Sequence, residues 1–115
     1  MLSEFGSLEA FELDDEARDI ARRKLPIDVK SGMLPDGIPF KPGTFDIVVA
    51  FDVIEHVERD VESLAKLREQ LAPGGRLMMT VPALPWLWSQ HDVTHHHFRR
   101  YTRGQLDATL RRAGL

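Results

Sequence analysis

Thr44-Phe45-Asp46-Ile47-Val48-Val49-Ala50-Phe51-Asp52-Val53-Ile54-Glu55-His56-Val57 is the stretch on which the fold turns. Ile47 to Phe51 is an unbroken apolar, β-branched run, the composition of a strand buried on both faces of a parallel sheet covered by helices. Polar chemistry begins abruptly at Asp52. The carboxyl end of a strand is where open α/β sheets place their ligand crevice. Asp52, Glu55 and His56 stand at i, i+3 and i+4, so a helical turn would gather them on one side. A carboxylate beside an imidazole permits proton transfer near neutral pH or can orient a substrate. The plainer reading is also open, with Asp52 capping the turn and His56 packed against it.

Working outward, Glu58 to Leu71 reads as an amphipathic helix with Val61, Leu64, Ala65, Leu67 and Leu71 on one face. Pro73-Gly74-Gly75 stops it, and Arg76 to Val81 reads as a buried strand closed by Pro82. Strand, helix, tight turn and strand make a βαβ unit. Upstream, Ser7 to Leu13 reads as a short strand and Asp15 to Lys24 as a helix capped by Asp14 or Asp15, acidic at its start and basic at its end. Pro26 ends that helix. Ile27 to Lys30 reads as another brief strand. Gly32, Pro35, Gly37, Pro39, Pro42 and Gly43 then punctuate an irregular segment. Downstream, residues 82–100 lose periodicity while carrying Trp86, Trp88 and four of the five histidines, the texture of a lid or substrate-facing insert. Thr102 and Gln105 have capping-box spacing for a final helix to Ala113. Gly114-Leu115 resembles a helix C-cap leading into more chain.

At 115 residues with 43% hydrophobic content, the chain is expected to form a single domain. The absence of cysteine rules out disulfides and thiolate metal sites. Neither a targeting segment nor an apolar run of membrane-spanning length is visible, so a soluble, cytoplasmic protein without membrane partners is expected. The net charge of −3 is uneven, with 14 acidic and 7 basic residues up to Asp60. Beyond it the balance is 4 acidic to 8 basic. Arg99, Arg100, Arg103, Arg111 and Arg112 could meet an anion or a nucleic acid. With few aromatics for stacking, a solvated face or pairing with the acidic half of the chain is the better expectation.

Glu12, an acid at a strand end entering a helix, could accept two hydrogen bonds from a ribose diol, or could be a surface carboxylate. His91, Asp92 and His95 have metal-ligand spacing, but adjacent histidines cannot all face one ion. Substrate-pocket histidines are therefore preferred and no metal ligands are assigned, with a histidine-metal-binding protein kept as the weaker alternative. Trp86 and Trp88 read as core or lid packing. Gly74-Gly75 lies between a helix and a strand, the wrong order for a phosphate-cradling loop.

Phe45 to Val57, the helix ending in Leu71-Ala72-Pro73-Gly74-Gly75, and the strand from Leu77 to Val81 before Pro82 together resemble class I S-adenosylmethionine-dependent methyltransferases. Trp88, His91-Asp92 and His97-Phe98-Arg99-Arg100-Tyr101 are similar to a bacterial subgroup acting mostly on small molecules. The resemblance implies a Rossmann-like three-layer α/β sandwich with a mostly parallel sheet. It implies S-adenosyl-L-methionine as cofactor and a small-molecule methyl acceptor. Glu12 and Leu13 would border the ribose, Met33 and Leu34 the adenine, and Phe51 and Asp52 the rest of the donor. His56, His91 and His97 would stand around the acceptor. By the same resemblance, the family's first strand with its glycine-rich loop would precede Met1, and its last two strands would follow Leu115. A truncated, non-catalytic module that self-associates or takes partner strands at open sheet edges is thus an alternative expectation.

Overall fold

The computed structural model describes residues 2–115, which form two compact units, one ending at Pro39 and one running from Phe40 to Leu115. In the first, β1 (Ala10–Glu12) and β2 (Val29–Ser31) pair in parallel, with Ala10 opposite Val29 and Glu12 opposite Ser31. Between them, α1 (Asp15–Lys24) begins where the Asp14 carboxylate accepts the Ala17 N–H at 2.7 Å, the N-cap expected from the sequence. Arg22 donates to the Val29 carbonyl at 2.8 Å and ties the helix back to β2. Val29, at 2% exposure, anchors this small core.

In the second unit, β3 (Phe45–Phe51) leads through a 3-10 turn (Ile54–His56) into α2 (Asp60–Gln70) and returns as β4 (Leu71–Thr80). The two strands are parallel, with Val48 opposite Leu77 and Ala50 opposite Met79, which is the anticipated βαβ unit. β4 begins five residues earlier than the sequence suggested. A register shift between Phe45 and Ile47 takes up the Pro73-Gly74-Gly75 turn inside the strand. Glycine is required there on two counts. Gly74 has φ of 79°, and a Cβ on Gly75 would lie 2.9 Å from both the Ala72 and Phe45 carbonyl oxygens.

The core lies on one face of this sheet, where Ala50, Ile54, Leu64, Leu67, Tyr101 and Ala113 are buried. Fully burying a leucine such as Leu64 contributes about 1.5–3 kcal/mol. α2 packs against α4 (Arg103–Arg112), whose start is the expected capping box between Thr102 and Gln105. The other face corrects the expectation of a strand buried on both sides. Ile47, Val49, Phe51 and Met78 are between 41% and 59% exposed. β-strand alternation puts Ile47, Val49 and Phe51 on one side, and α2 covers the opposite side.

The segment from Pro82 to Arg100 contains more structure than its sequence suggested. A 3-10 turn (Pro85–Leu87) is followed by α3 (Gln90–Thr94), which opens on a second capping box between Ser89 and Asp92. Trp86 and Trp88 lie at the surface, 74% and 43% exposed, so they are not core residues.

Candidate functional site

The carboxyl end of β3 does not continue as a helical turn carrying three side chains on one side. Asp52 adopts φ of 51°, a left-handed conformation that takes it out of the turn. Its N–H donates to the Thr80 carbonyl and hydroxyl, each at 3.1 Å, and the hydroxyl donates back to Oδ1 at 3.1 Å. Asp52 therefore locks the tip of β3 to the tip of β4. Glu55 and His56, in the 3-10 turn beyond it, point to different environments. Glu55 is 1% exposed, whereas the His56 side chain is 41% exposed.

The last third of the chain folds onto this turn. Phe98 N–H donates to the Glu55 carbonyl at 2.7 Å. The Arg99 guanidinium donates to the Val57 carbonyl at 2.6 Å and the Glu58 carbonyl at 2.8 Å. Tyr101 hydroxyl donates to Asp60 Oδ2 at 2.9 Å. Burial, with Asp60 adding to it, pushes the Tyr101 phenol up to about 12. Arg99 and Arg100 are thus spent inside the protein, Arg99 on turn carbonyls and, at 3.6 Å, on Asp60 of the acidic half, and Arg100 on Asp92 of the basic half.

These contacts bring His97 against His56, with ring centroids 4.7 Å apart in an edge-to-face arrangement. His91 and His95 stack at 3.9 Å, and their rings lie 6.4 and 6.1 Å from that of His97. His91 thus stays at the edge of the cluster, while the His95 ring is held to the His91 carbonyl through Nδ1 at 2.8 Å.

Two buried carboxylates flank the histidines. Asp92, fully buried, has Oδ1 2.7 Å from Arg100 Nε and 2.9 Å from His97 Nδ1, and its Oδ2 accepts the Ser89 N–H at 2.9 Å. The Arg100 hydrogen bond, helped by those from His97 and Ser89, holds the Asp92 carboxyl well below the usual range despite its burial. An ionised carboxylate only accepts, so His97 Nδ1 carries the hydrogen, and in the neutral ring Nε2 is then the nitrogen with the lone pair. Glu55 is different. Burial pushes its carboxyl up, against the pull of its own backbone N–H and of His56, and Asp52 adds to the rise. Its Oε2 is buried with no hydrogen-bond partner, and Oε1 lies 3.9 Å from His56 Nε2. Sequence spacing could not single out Glu55 from Asp52, because the left-handed residue between strand and turn leaves no mark in the pattern.

In the first unit Glu12 ends β1 half-buried, and its Oε1 accepts the Asp14 N–H at 3.0 Å. Leu13 next to it is exposed. Met33 forms a bridge to Gly37 around a tight turn containing Leu34, and its side chain is 47% exposed. In the second unit Phe51 ends β3 at 48% exposure.

A family described as "Methyltransferase domain" matches residues 3–115. Squalestatin hexaketide synthase of Phoma sp. is 32% identical over 85 residues, covering 74% of this chain and 3% of that protein. The mitochondrial ubiquinone biosynthesis O-methyltransferase of Schizosaccharomyces pombe is 44% identical over 39 residues, 34% of this chain and 14% of that one. Among solved structures, an S-adenosylmethionine-dependent methyltransferase of Thermotoga maritima superposes with a TM-score of 0.74 at 21% identity, covering 90% of this chain and 53% of that one. The chain thus spans about half the length of that structure and a small part of the two curated relatives. Its parallel βαβ unit and the match over almost its whole length make the chain a member of the methyltransferase-domain family, Rossmann-like in fold, whose cofactor is S-adenosylmethionine.

Proposed function

We propose that the chain is the central part of an enzyme that transfers a methyl group from S-adenosylmethionine to a small-molecule acceptor. The observation that carries this is the histidine and carboxylate cluster gathered beyond the carboxyl end of β3 in a chain of methyltransferase lineage. Each unit by itself carries residues whose chemistry suits one part of the donor. In the first unit, no ion pair among the described residues engages Glu12, which leaves an acceptor-only group suited to a ribose diol. Leu13, Met33 and Leu34 stand close by in sequence or at the neighbouring strand end. In the second unit, exposed Phe51 offers an apolar surface, and Asp52 is fixed by Thr80.

S-adenosylmethionine supplies an electrophilic methyl on a sulfonium sulfur. What remains for the protein is orientation and removal of a proton from the acceptor. His97 suits the second task, because Asp92 holds its Nδ1–H and leaves Nε2 free to accept. His56 lies against it and reaches solvent, the position of a group that orients an incoming acceptor. His91 stands at the outer edge. Calorimetric titration with S-adenosylhomocysteine tests the donor half, with micromolar binding expected and a loss of tenfold or more in Glu12→Ala. The absence of binding at millimolar ligand would remove the donor site from this chain. That outcome would favour the alternative of a non-catalytic module that takes partner strands at its sheet edges. Among the described residues no helix is long and apolar enough to cross a membrane.

A further inference from the structure

Glu55, His56 and His97 offer one ligand atom each, and these atoms all lie within 4.8 Å of one another. We propose that this trio binds a single divalent transition-metal ion of borderline softness, with zinc the best match. Three observations converge on it. The first is the donor set itself, two imidazoles and one carboxylate, which binds zinc in open sites that leave a position for water or substrate. The second is the Glu55 carboxylate, 1% exposed and with Oε2 lacking any partner. A buried acceptor left unpaired is costly, and a cation beside it removes that cost. The third is the hydrogen bond from His97 Nδ1 to Asp92 at 2.9 Å. Imidazoles that ligate metals are held by a carboxylate on the other ring nitrogen, which fixes the tautomer and raises the basicity of the ligating one. Asp92 is in turn anchored by Arg100, so the whole support is built of buried, hydrogen-bonded groups.

The closure required is small. Zinc holds nitrogen and oxygen donors at about 2.0–2.2 Å, which puts donors about 3.5 Å apart. The trio must contract by about an ångström. His56 has the freedom to do this, being the exposed member. The sequence drew attention to His91, Asp92 and His95 as candidate ligands. Folding commits Asp92 to Arg100, His97 and Ser89, and the His95 ring to a backbone carbonyl, so those residues support the trio or stand outside it.

Any role of the ion toward the methyl acceptor, as a Lewis acid on an acceptor oxygen, rests on the function proposed above. Such an ion would occupy the His97 lone pair, so the acceptor would bind it as its conjugate base with the proton released to solvent, in place of transfer to His97. Metal binding itself is independent of that reading, because it is measured without donor or acceptor.

The test is titration of the untagged chain with zinc chloride by calorimetry, and with cobalt chloride by visible absorption. One ion per chain at micromolar affinity is expected, with a cobalt band characteristic of low coordination number. Glu55→Gln and His97→Ala should each weaken zinc by tenfold or more. His95→Gln, which destroys the stacked His91 and His95 pair, should change it less than twofold. Glu55→Gln removes a buried charge that has one oxygen without a partner, so its thermal unfolding without metal should match or exceed that of the parent, which controls for misfolding. The proposal is overturned if no stoichiometric zinc binds, or if zinc survives both trio substitutions, or if it is lost instead in His95→Gln. Methyl transfer that needs His97 in a protein binding no metal would sink the ion and leave the proposed function standing. Zinc binding without S-adenosylhomocysteine binding would do the reverse.

Discussion

Glu55 and Asp92 are both removed from solvent, at 1% and 0% exposure, yet their surroundings are opposite. Asp92 is satisfied by a guanidinium, an imidazole and a backbone N–H, and its charge is favoured. Glu55 has one oxygen without a partner, and its charge is opposed by burial. Buried carboxylates that are fully partnered build structure, while one left open at the carboxyl end of a strand is a group waiting for something to bind. Under the metal proposal, the difference separates the supporting carboxylate from the ligating one within a single cluster.

The comparison breaks most visibly at Asp92. Asp92→Ala leaves Arg100, whose side chain is 16% exposed, without its anion and releases His97 and the α3 cap. The expected result is the largest fall in melting temperature of any substitution described here, together with a loss of soluble yield. At Glu55 the sign should invert. Glu55→Gln removes an opposed charge, and a gain of about 1 kcal/mol at neutral pH is expected, seen as a rise of a few degrees in Tm without metal. A fall comparable to that of Asp92→Ala would erase the distinction.

A pH series sharpens it further. The folded pKa of Glu55 is raised above its unfolded value of about 4.3. Its contribution is therefore complete below that value and is lost as pH rises through the folded pKa. The folded pKa of Asp92 is depressed below its unfolded value of about 3.9, so its contribution is present above that value and is lost as pH falls toward the folded one. Stability of the metal-free chain should peak in the weakly acidic range, and Glu55→Gln should flatten only the decline on the alkaline side of that peak. The smallest effect is expected at Asp60, the intermediate case. There Tyr101→Phe removes one hydrogen bond, at a cost of about 0.5 kcal/mol, and Arg99 remains 3.6 Å from the carboxylate. The phenol's own contribution is present below its unfolded pKa of about 10 and is lost as pH rises through about 12.

Much of this was legible before folding. The apolar run ending at Phe51 marked the strand, the choice of Asp14 or Asp15 and the Thr102–Gln105 pair marked two helix starts, and Pro73-Gly74-Gly75 marked the return. What escaped depended on contacts across long sequence separations. Phe98 and Arg99 reach back more than forty positions to the Glu55 turn, and nothing local in His-His-His-Phe-Arg says which histidine will meet His56. Helix α3 was hidden because its Ser89 and Asp92 capping pair precedes too short a periodic segment to register. The exposed face of β3 escaped for another reason. Val49 and Val48 are chemically alike, and only the packing of α2 distinguishes their sides.

The left-handed backbone at Asp52 restricts which residues position 52 can accept. A φ of 51° admits glycine, asparagine or aspartate with little strain and penalises β-branched or bulky residues. The reciprocal bonds with Thr80 narrow the choice again, since glycine gives up the side-chain partner and a valine at position 80 would give up the hydroxyl. Positions 52 and 80, twenty-eight residues apart, therefore share one short alphabet and are expected to drift together or not at all.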